Sequence, residues 1–219
     1  MPVTNSRAIR NLRLSLALSD RQRNILVGSL LGDGCLIPNS WNRHYRLQIE
    51  QNSAHKGYVF WLYREFRSWV LAKPTYHSTT QSWKFRTISH PELTNLAQEF
   101  YVGRTKTLPM RIRELLNHPL SLAIWAMDDG CLMARGDGFT FNTQSFTREE
   151  NQLLRDCLAE NFGLTESSLH RDKSHVRLYI RLGSLQRLRK LIEPHLLAEF
   201  TYKLPKPRRD LFSATGRNG

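Results

Sequence analysis

Residues 26–36 read LVGSLLGDGCL, and residues 122–132 read LAIWAMDDGCL. Each is an apolar stretch running into an aspartate followed by glycine, at Asp33-Gly34 and at Asp129-Gly130. A single Asp-Gly after an apolar run is ordinarily a turn, because both residues tolerate turn geometry. Two copies of the whole arrangement in one chain need a further reason.

Working outward, the surroundings repeat as well. Ser19-Asp20 starts a helix with apolar positions Ile25, Leu26, Leu30 and Leu31, stopped by Gly32-Asp33-Gly34. Tyr45, Leu47 and Ile49 alternate with Arg46, Gln48 and Glu50, the period of a half-buried strand, with a partner strand expected near 36–42. Tyr58 to Val70 predicts one long aromatic-rich helix ending before Lys73-Pro74. A hairpin follows near 75–79 and 83–88, then a helix opened by His90-Pro91 and running through Phe100, and the half closes on Thr105-Lys106-Thr107-Leu108-Pro109.

The second half gives the same order. A helix from Leu120 to Asp129 leads to a strand at Phe139–Asn142 and a helix introduced by the capping box Thr147-Arg-Glu-Glu150. A strand at Val176–Leu182 and a helix from Leu185 to Leu197 follow, closed by Tyr202-Lys203-Leu204-Pro205. Lys106 lies 73 residues after Asp33, and Lys203 lies 74 after Asp129. The period is far above that of a solenoid unit. The expectation is therefore an α+β fold of two pseudo-symmetric αββαββα halves, each a curved antiparallel sheet backed by helices. The boundaries are a basic arm at 1–18, a first half at 19–109, a linker at 110–119, a second half at 120–207 and a basic tail at 208–219.

Composition narrows the partner. Among 219 residues, 32 Lys and Arg oppose 19 Asp and Glu, for a net charge of +13, and the pI is near 10.2. Such an imbalance is the electrostatic mark of a polyanion partner, nucleic acid first. Docking on anionic membrane would call for a basic amphipathic helix or a lipidation motif, whereas these charges are scattered along the chain. No apolar run approaches a membrane span and no signal peptide is evident, so an intracellular protein is expected. Arg7, Arg10 and Arg13, with serines and no acid, fit an organellar transit segment or an arm gripping phosphate. Cys35, Cys131 and Cys157 are odd in number and lack CxxC spacing, which points to reduced, buried thiols rather than disulfides or zinc.

If the two apolar helices pack together, Gly28 and Gly32, four apart on one face, permit close backbone approach. Asp33 and Asp129 then meet at two helix carboxyl ends, which are already negative. Two acids there make sense around a hard cation, because magnesium takes one or two carboxylates plus phosphate oxygens and water. The carbonyls of Gly32 and Asp128 are further candidate ligands. The implied chemistry is metal-assisted phosphodiester hydrolysis.

These residues resemble the two signature helices of the LAGLIDADG homing endonucleases in their single-chain, two-motif form. FNTQSFTREE at 141–150, RTKTLP at 104–109 and YKLP at 202–205 are similar to segments of intron-encoded members. The resemblance implies that Asp33 and Asp129 bind the metal, Mg2+ with Mn2+ or Ca2+ able to substitute in binding. It also implies an active-site lysine in each half, at Lys106 and Lys203, against the alternative that each is a solvated surface charge. Aligning the first strands sets Glu50 against Asn142 as candidates for ordering metal-bound water. Ile124 and Asp128 depart from the small residues usual at their positions, and Asp128 competes as the ligand; the glycine after each acid favours Asp129.

The outward faces of the strands carry Arg46, Gln48, Lys84 and Arg86 in the first half and Thr140, Arg177, Tyr179 and Arg181 in the second. Arginine and glutamine match guanine and adenine edges in the major groove, though several such contacts reach only phosphate. The resemblance implies a monomer straddling a long, near-asymmetric duplex and leaving 3′ overhangs, in a bacterial cytoplasm or an organelle. The competing readings are a maturase binding its host intron RNA and a non-cleaving DNA-binding regulator. Keeping both acids and both lysines favours the nuclease.

Overall fold

The structure is a computed structural model describing residues 6–206; the tail expected at 208–219, and residue 207 of the expected second half, lie outside the described residues. A helix, α1 (Arg7–Ser15), precedes the repeat. The first half runs α2 (Asp20–Leu31), β1 (Cys35–Pro38), β2 (Tyr45–Asn52), α3 (Lys56–Glu65), β3 (Thr75–His77), β4 (Ser82–Arg86) and α4 (Pro91–Phe100). A small hairpin, β5 (Tyr101–Val102) and β6 (Thr105–Lys106), closes it, and a short helix, α5 (Ile112–Leu115), lies in the linker. The second half runs α6 (Pro119–Asp129), β7 (Gly130–Leu132), β8 (Gly138–Phe141), α7 (Arg148–Phe162), β9 (Ser167–Asp172), β10 (His175–Arg181) and α8 (Leu182–Ile192).

Both halves are thus αββαββα, and their antiparallel sheets share one strand order, β1-β2-β4-β3 and β7-β8-β10-β9. Local chemistry sets the starts of the elements. Ser19 and Gln22 form a complete capping box on α2, as Thr147 and Glu150 do on α7, each cap being worth about 1 kcal/mol. In β2, Leu47 and Ile49 are buried while Arg46, Gln48 and Glu50 face outward, as the alternation requires.

Among the boundaries that differ from the sequence expectation, three have a local physical cause. The strand expected at 36–42 stops at Pro38, because the Asn39 side chain accepts the N–H groups of Trp41 and Arg43 and Asn42 turns to φ 53°; this local ring competes with the ladder. The helix expected to reach Val70 ends at Glu65 and continues as a 3-10 turn, Arg67–Trp69, which sets Trp69 edge-on to His90. The helix expected to reach Leu197 ends at Ile192, where a 3-10 turn begins that includes Pro194. Proline has no N–H to continue the ladder. The linker is built into the fold, since Ile112 and Leu116 are fully buried and their carbonyls face the Cys157 thiol.

The two halves share one hydrophobic core, centred on α2 against α6. A Cβ at Gly28 would stand 2.4 Å from Ser121 O and 2.7 Å from Ile124 Cβ; one at Gly32 would stand 2.4 Å from Asp128 Cβ. The two larger residues of α6 therefore sit in notches left by the two glycines of α2. Close packing is kept by asymmetric complementarity.

Candidate active site

α2 and α6 end side by side, and the last carbonyls of a helix have no donor within it. Lysines supply the donors here. Lys106 Nζ donates to Gly32 O at 2.8 Å and Gly34 O at 3.0 Å. Lys203 Nζ donates to Ala126 O at 3.3 Å, to Asp128 O at 3.4 Å and, most closely, to Met127 O. The carbonyls of Gly32 and Asp128, expected to face a metal, are thus each engaged by an ammonium group.

The lysines arrive by different routes. Lys106 sits on the β5–β6 hairpin, which turns at Gly103 with φ 63° and is tied to β1 by the Leu36 N–H donating to the Tyr101 hydroxyl at 3.1 Å. Lys203 ends a 3-10 helix, Ala198–Lys203. Phe200 anchors that helix against the first half, stacking on His55 at 4.9 Å and meeting Tyr58 edge-on at 5.2 Å. Burial pulls both ammonium groups below the ordinary lysine range, and the neighbouring aspartates oppose that pull.

Asp33 is exposed, and its Oδ2 accepts from Gln51 Nε2 at 2.8 Å. Asp129 is half-buried, and its carboxyl is pushed up to about 7 by burial and then by the negative charge of Asp33. Lys106 and Lys203 act in the opposite direction on the same group. Four charges from both halves therefore converge on one place.

Asp128 turns the other way. Its Oδ2 accepts the Asp33 N–H at 3.3 Å, while its Oδ1 is buried, as are Ser29 Oγ and the Tyr58 hydroxyl that lies close to both side chains. Burial, and then the charge of Asp33, hold the Asp128 carboxyl well above the usual range. It sits at the helix interface, tied to the Asp33 backbone.

Strand register links the remaining candidates. Extending the pairing of Cys35 with Gln48 by two residues sets Glu50 opposite Asp33, and the Asn142 N–H donates to Asp129 O at 3.0 Å. The two positions are equivalent, but Glu50 is engaged on the sheet face by Lys84 at 2.6 Å and Ser82 at 2.7 Å, which hold its carboxyl low. Gln51, which the sequence reading passed over, touches Asp33 instead. Its parity with Leu47 and Ile49 turns it toward the helices, and that alternation was the signal available for it.

The outward sheet faces form paired ladders. Arg86 donates to Gln48 at 2.8 Å, Arg177 meets Asp172 at 3.1 Å, and Arg181 reaches Ser168 at 3.3 Å. Tyr179 stacks on His170 at 4.2 Å. Thr140, expected as an exposed contact, is 7% exposed and donates to Met133 Sδ; the β7–β8 turn covers it. Arg46 is half-buried, with Nε lacking a partner.

Residues 23–188 match the sequence model of the LAGLIDADG DNA endonuclease family. The chain is 27% identical over 215 residues to the probable intron-encoded endonuclease 1 of Wickerhamomyces canadensis, covering 91% of each. It is 26% identical over 204 residues to the cytochrome b mRNA maturase bI2 of Saccharomyces cerevisiae, covering 83% of this chain and 46% of that one; it spans about half the length of that relative. Among solved structures, the homing endonuclease I-WcaI bound to its DNA recognition sequence superposes with a TM-score of 0.82 at 26% identity, over 91% of this chain and 93% of that one.

Proposed function

The chain belongs to the LAGLIDADG DNA endonuclease family, and we propose that it cuts both strands of duplex DNA at one long, near-asymmetric target, as a monomer that leaves 3′ overhangs. The observation that carries this reading is the convergence of Asp33 and Asp129, each at the end of one of two packed helices and beside a lysine, half-buried Lys106 and buried Lys203. One chain supplies both acids. Two sheets of different sequence would face two different half-sites.

The donor set suits a divalent cation. Among the described residues no group of three or more His, Cys, Asp or Glu is arranged to hold a metal, and two carboxylates completed by phosphate oxygens and water are what Mg2+ takes. Asp33 and Asp129 would hold it, with Mn2+ able to replace it; the carbonyls of Gly32 and Asp128 would contribute only through lone pairs the lysines leave free. When bound, the cation polarises the phosphoryl group and makes water a nucleophile at neutral pH.

The chain's own groups do the rest. Gln51 fixes the carboxylate plane of Asp33 through its 2.8 Å hydrogen bond. Lys106 and Lys203, already oriented by helix-end carbonyls, place positive charge where negative charge grows on the scissile phosphates, and pre-set donors lose little in reorganisation. Asn142 and Glu50, opposite the two acids, order water, Glu50 only on letting go of Lys84. The outward arginines and glutamine meet the duplex in the major groove and along phosphate.

The similarity to a maturase favours a second reading, in which the same basic surface binds host intron RNA. A bacterial or organellar interior suits either. The test is incubation with Mg2+ and a supercoiled plasmid carrying the rejoined flanks of the coding frame. Linearisation by wild type, lost in Asp33→Asn and Asp129→Asn while duplex affinity stays, is the expected result. Tight binding without cutting would leave a DNA-binding regulator, and preference for intron RNA would leave the maturase.

A further inference from the structure

The helix that precedes the repeat takes no part in the site above. α1 carries Arg7, Arg10 and Arg13, and residues 6–19 contain no acid. Ile9, Leu12 and Leu16 are half-buried against the first half, whereas Arg7, Arg10 and Asn11 stay exposed. Three hydrogen bonds fix it: Arg13 Nε donates to Ser89 O at 2.9 Å, Arg13 also donates to Ser89 Oγ at 3.5 Å, and His90 Nε2 donates to Arg13 O at 3.1 Å.

A cavity of about 110 Å3 opens where this helix meets the sheet, with Arg13, Asn39, Trp41, Arg46, Leu71 and Ser89 in its wall and no acid among its lining residues. That is several times the ~10–15 Å3 of such space that holds one water. Arg46 enters it from the outward face of β2, the face that carries Gln48, and its buried Nε has no partner. Burial and the charge of Arg86 both work against the charge on Arg46. Trp41, on the β1–β2 turn, is 58% exposed.

Positive charge on α1, on the β1–β2 turn and in the cavity wall has no acid paired to it. Among the described residues Arg7, Arg10, Arg13, Arg43 and Arg46 make no salt bridge, whereas Arg21 and Arg23 pair with Glu65 and Glu92. The linker before α6, the equivalent place in the second half, carries Arg111 and Arg113, paired with Glu99 and Glu160.

We infer that the cavity between α1, the β1–β2 turn and the outer end of the first sheet is an end clamp for duplex DNA. It receives one backbone phosphate beyond the stretch faced by the first sheet. Guanidinium groups match phosphate oxygens bidentately, and Trp41 with Leu71 forms an apolar wall for the adjoining sugar. This rests on the DNA-binding reading given above.

The experiment is the salt dependence of equilibrium binding to a duplex of random sequence, since phosphate contacts are sequence-independent. Each phosphate lost lowers the slope of log K against log salt by about 0.9. Arg46→Gln and the exposed Arg10→Gln are expected to lower it, Arg46→Lys to keep it, Trp41→Ala to weaken binding at unchanged slope, and Arg111→Gln to change nothing. Competition by inorganic phosphate alone is expected to be weak. Equal slopes for wild type, Arg46→Gln and Arg10→Gln would overturn the clamp and leave the nuclease reading standing. A wild-type protein that binds no duplex would overturn both.

Discussion

The Oδ2 of Asp128, in the second half, accepts the backbone N–H of Asp33, in the first, at 3.3 Å. This bond ties the backbone of one proposed metal ligand to a side chain adjacent in sequence to the other. Asp128→Asn keeps an acceptor in the same place, so unfolding free energy should change by less than about 1 kcal/mol. Asp128→Ala leaves the Asp33 N–H without that acceptor and should cost about 1–3 kcal/mol. Denaturant unfolding measures both. If Asp128→Asn abolished cutting as fully as Asp129→Asn, Asp128 would be a ligand and the helix-interface role would be wrong.

Gly28→Ala should destabilise the protein by about 3 kcal/mol, the upper end of the overpacking range. The added Cβ would stand 2.4 Å from the backbone oxygen of Ser121, and a backbone atom cannot rotate away. Urea unfolding at fixed pH is the check. A loss below about 0.5 kcal/mol would mean that α2 and α6 are not locked where they cross.

The lysines are open to a separation of binding from chemistry. Lys106→Met and Lys203→Met should each lower kcat by roughly a hundredfold, the scale of losing one donor to developing charge. Duplex affinity should fall far less, because the outer sheet faces are untouched. Single-turnover cleavage alongside equilibrium binding separates the two quantities. Equal losses in both would return these lysines to a purely structural role as helix-end caps.

Asp129 gives a pH dependence with a definite sign. Its carboxyl moves from an ordinary 3.8 up to about 7 in the folded chain, so the folded state holds that proton more tightly than the unfolded state does. Its contribution to stability is complete below about pH 4 and is lost as pH rises toward 7. In the metal-free protein, wild type should therefore fall progressively below Asp129→Asn in Tm across that window. Added Mg2+ at neutral pH should narrow the gap by binding only the folded wild type. Parallel Tm curves for the two proteins would contradict the burial of Asp129 beside Asp33.

Much of this was open to reading along the chain, because it depends on neighbours a few residues apart. Capping at Ser19 and Thr147, alternation in β2 and β10, and the spacing of each lysine from its acid are local or periodic, and all carried through to the fold. Apart from Thr140, which the β7–β8 turn covers, the outward strand positions were legible in type as well, since β parity sets which side chains leave the sheet on that face.

Other features depended on partners distant in sequence. Ile124 and Asp128 depart from the usual small residues, yet they fit because Gly28 and Gly32 lie opposite them across the helix pair. Glu50 is drawn to Lys84 while Gln51 reaches Asp33, a choice made by which side of β2 faces the helix ends. A hairpin and a 3-10 helix, unlike in local conformation, deliver Lys106 and Lys203 to matching carbonyls. Pattern within the chain determined the two halves and their four charged residues. Tertiary packing alone decided what those charges touch, because a buried polar group takes whichever partner the opposing surface brings within hydrogen-bonding reach.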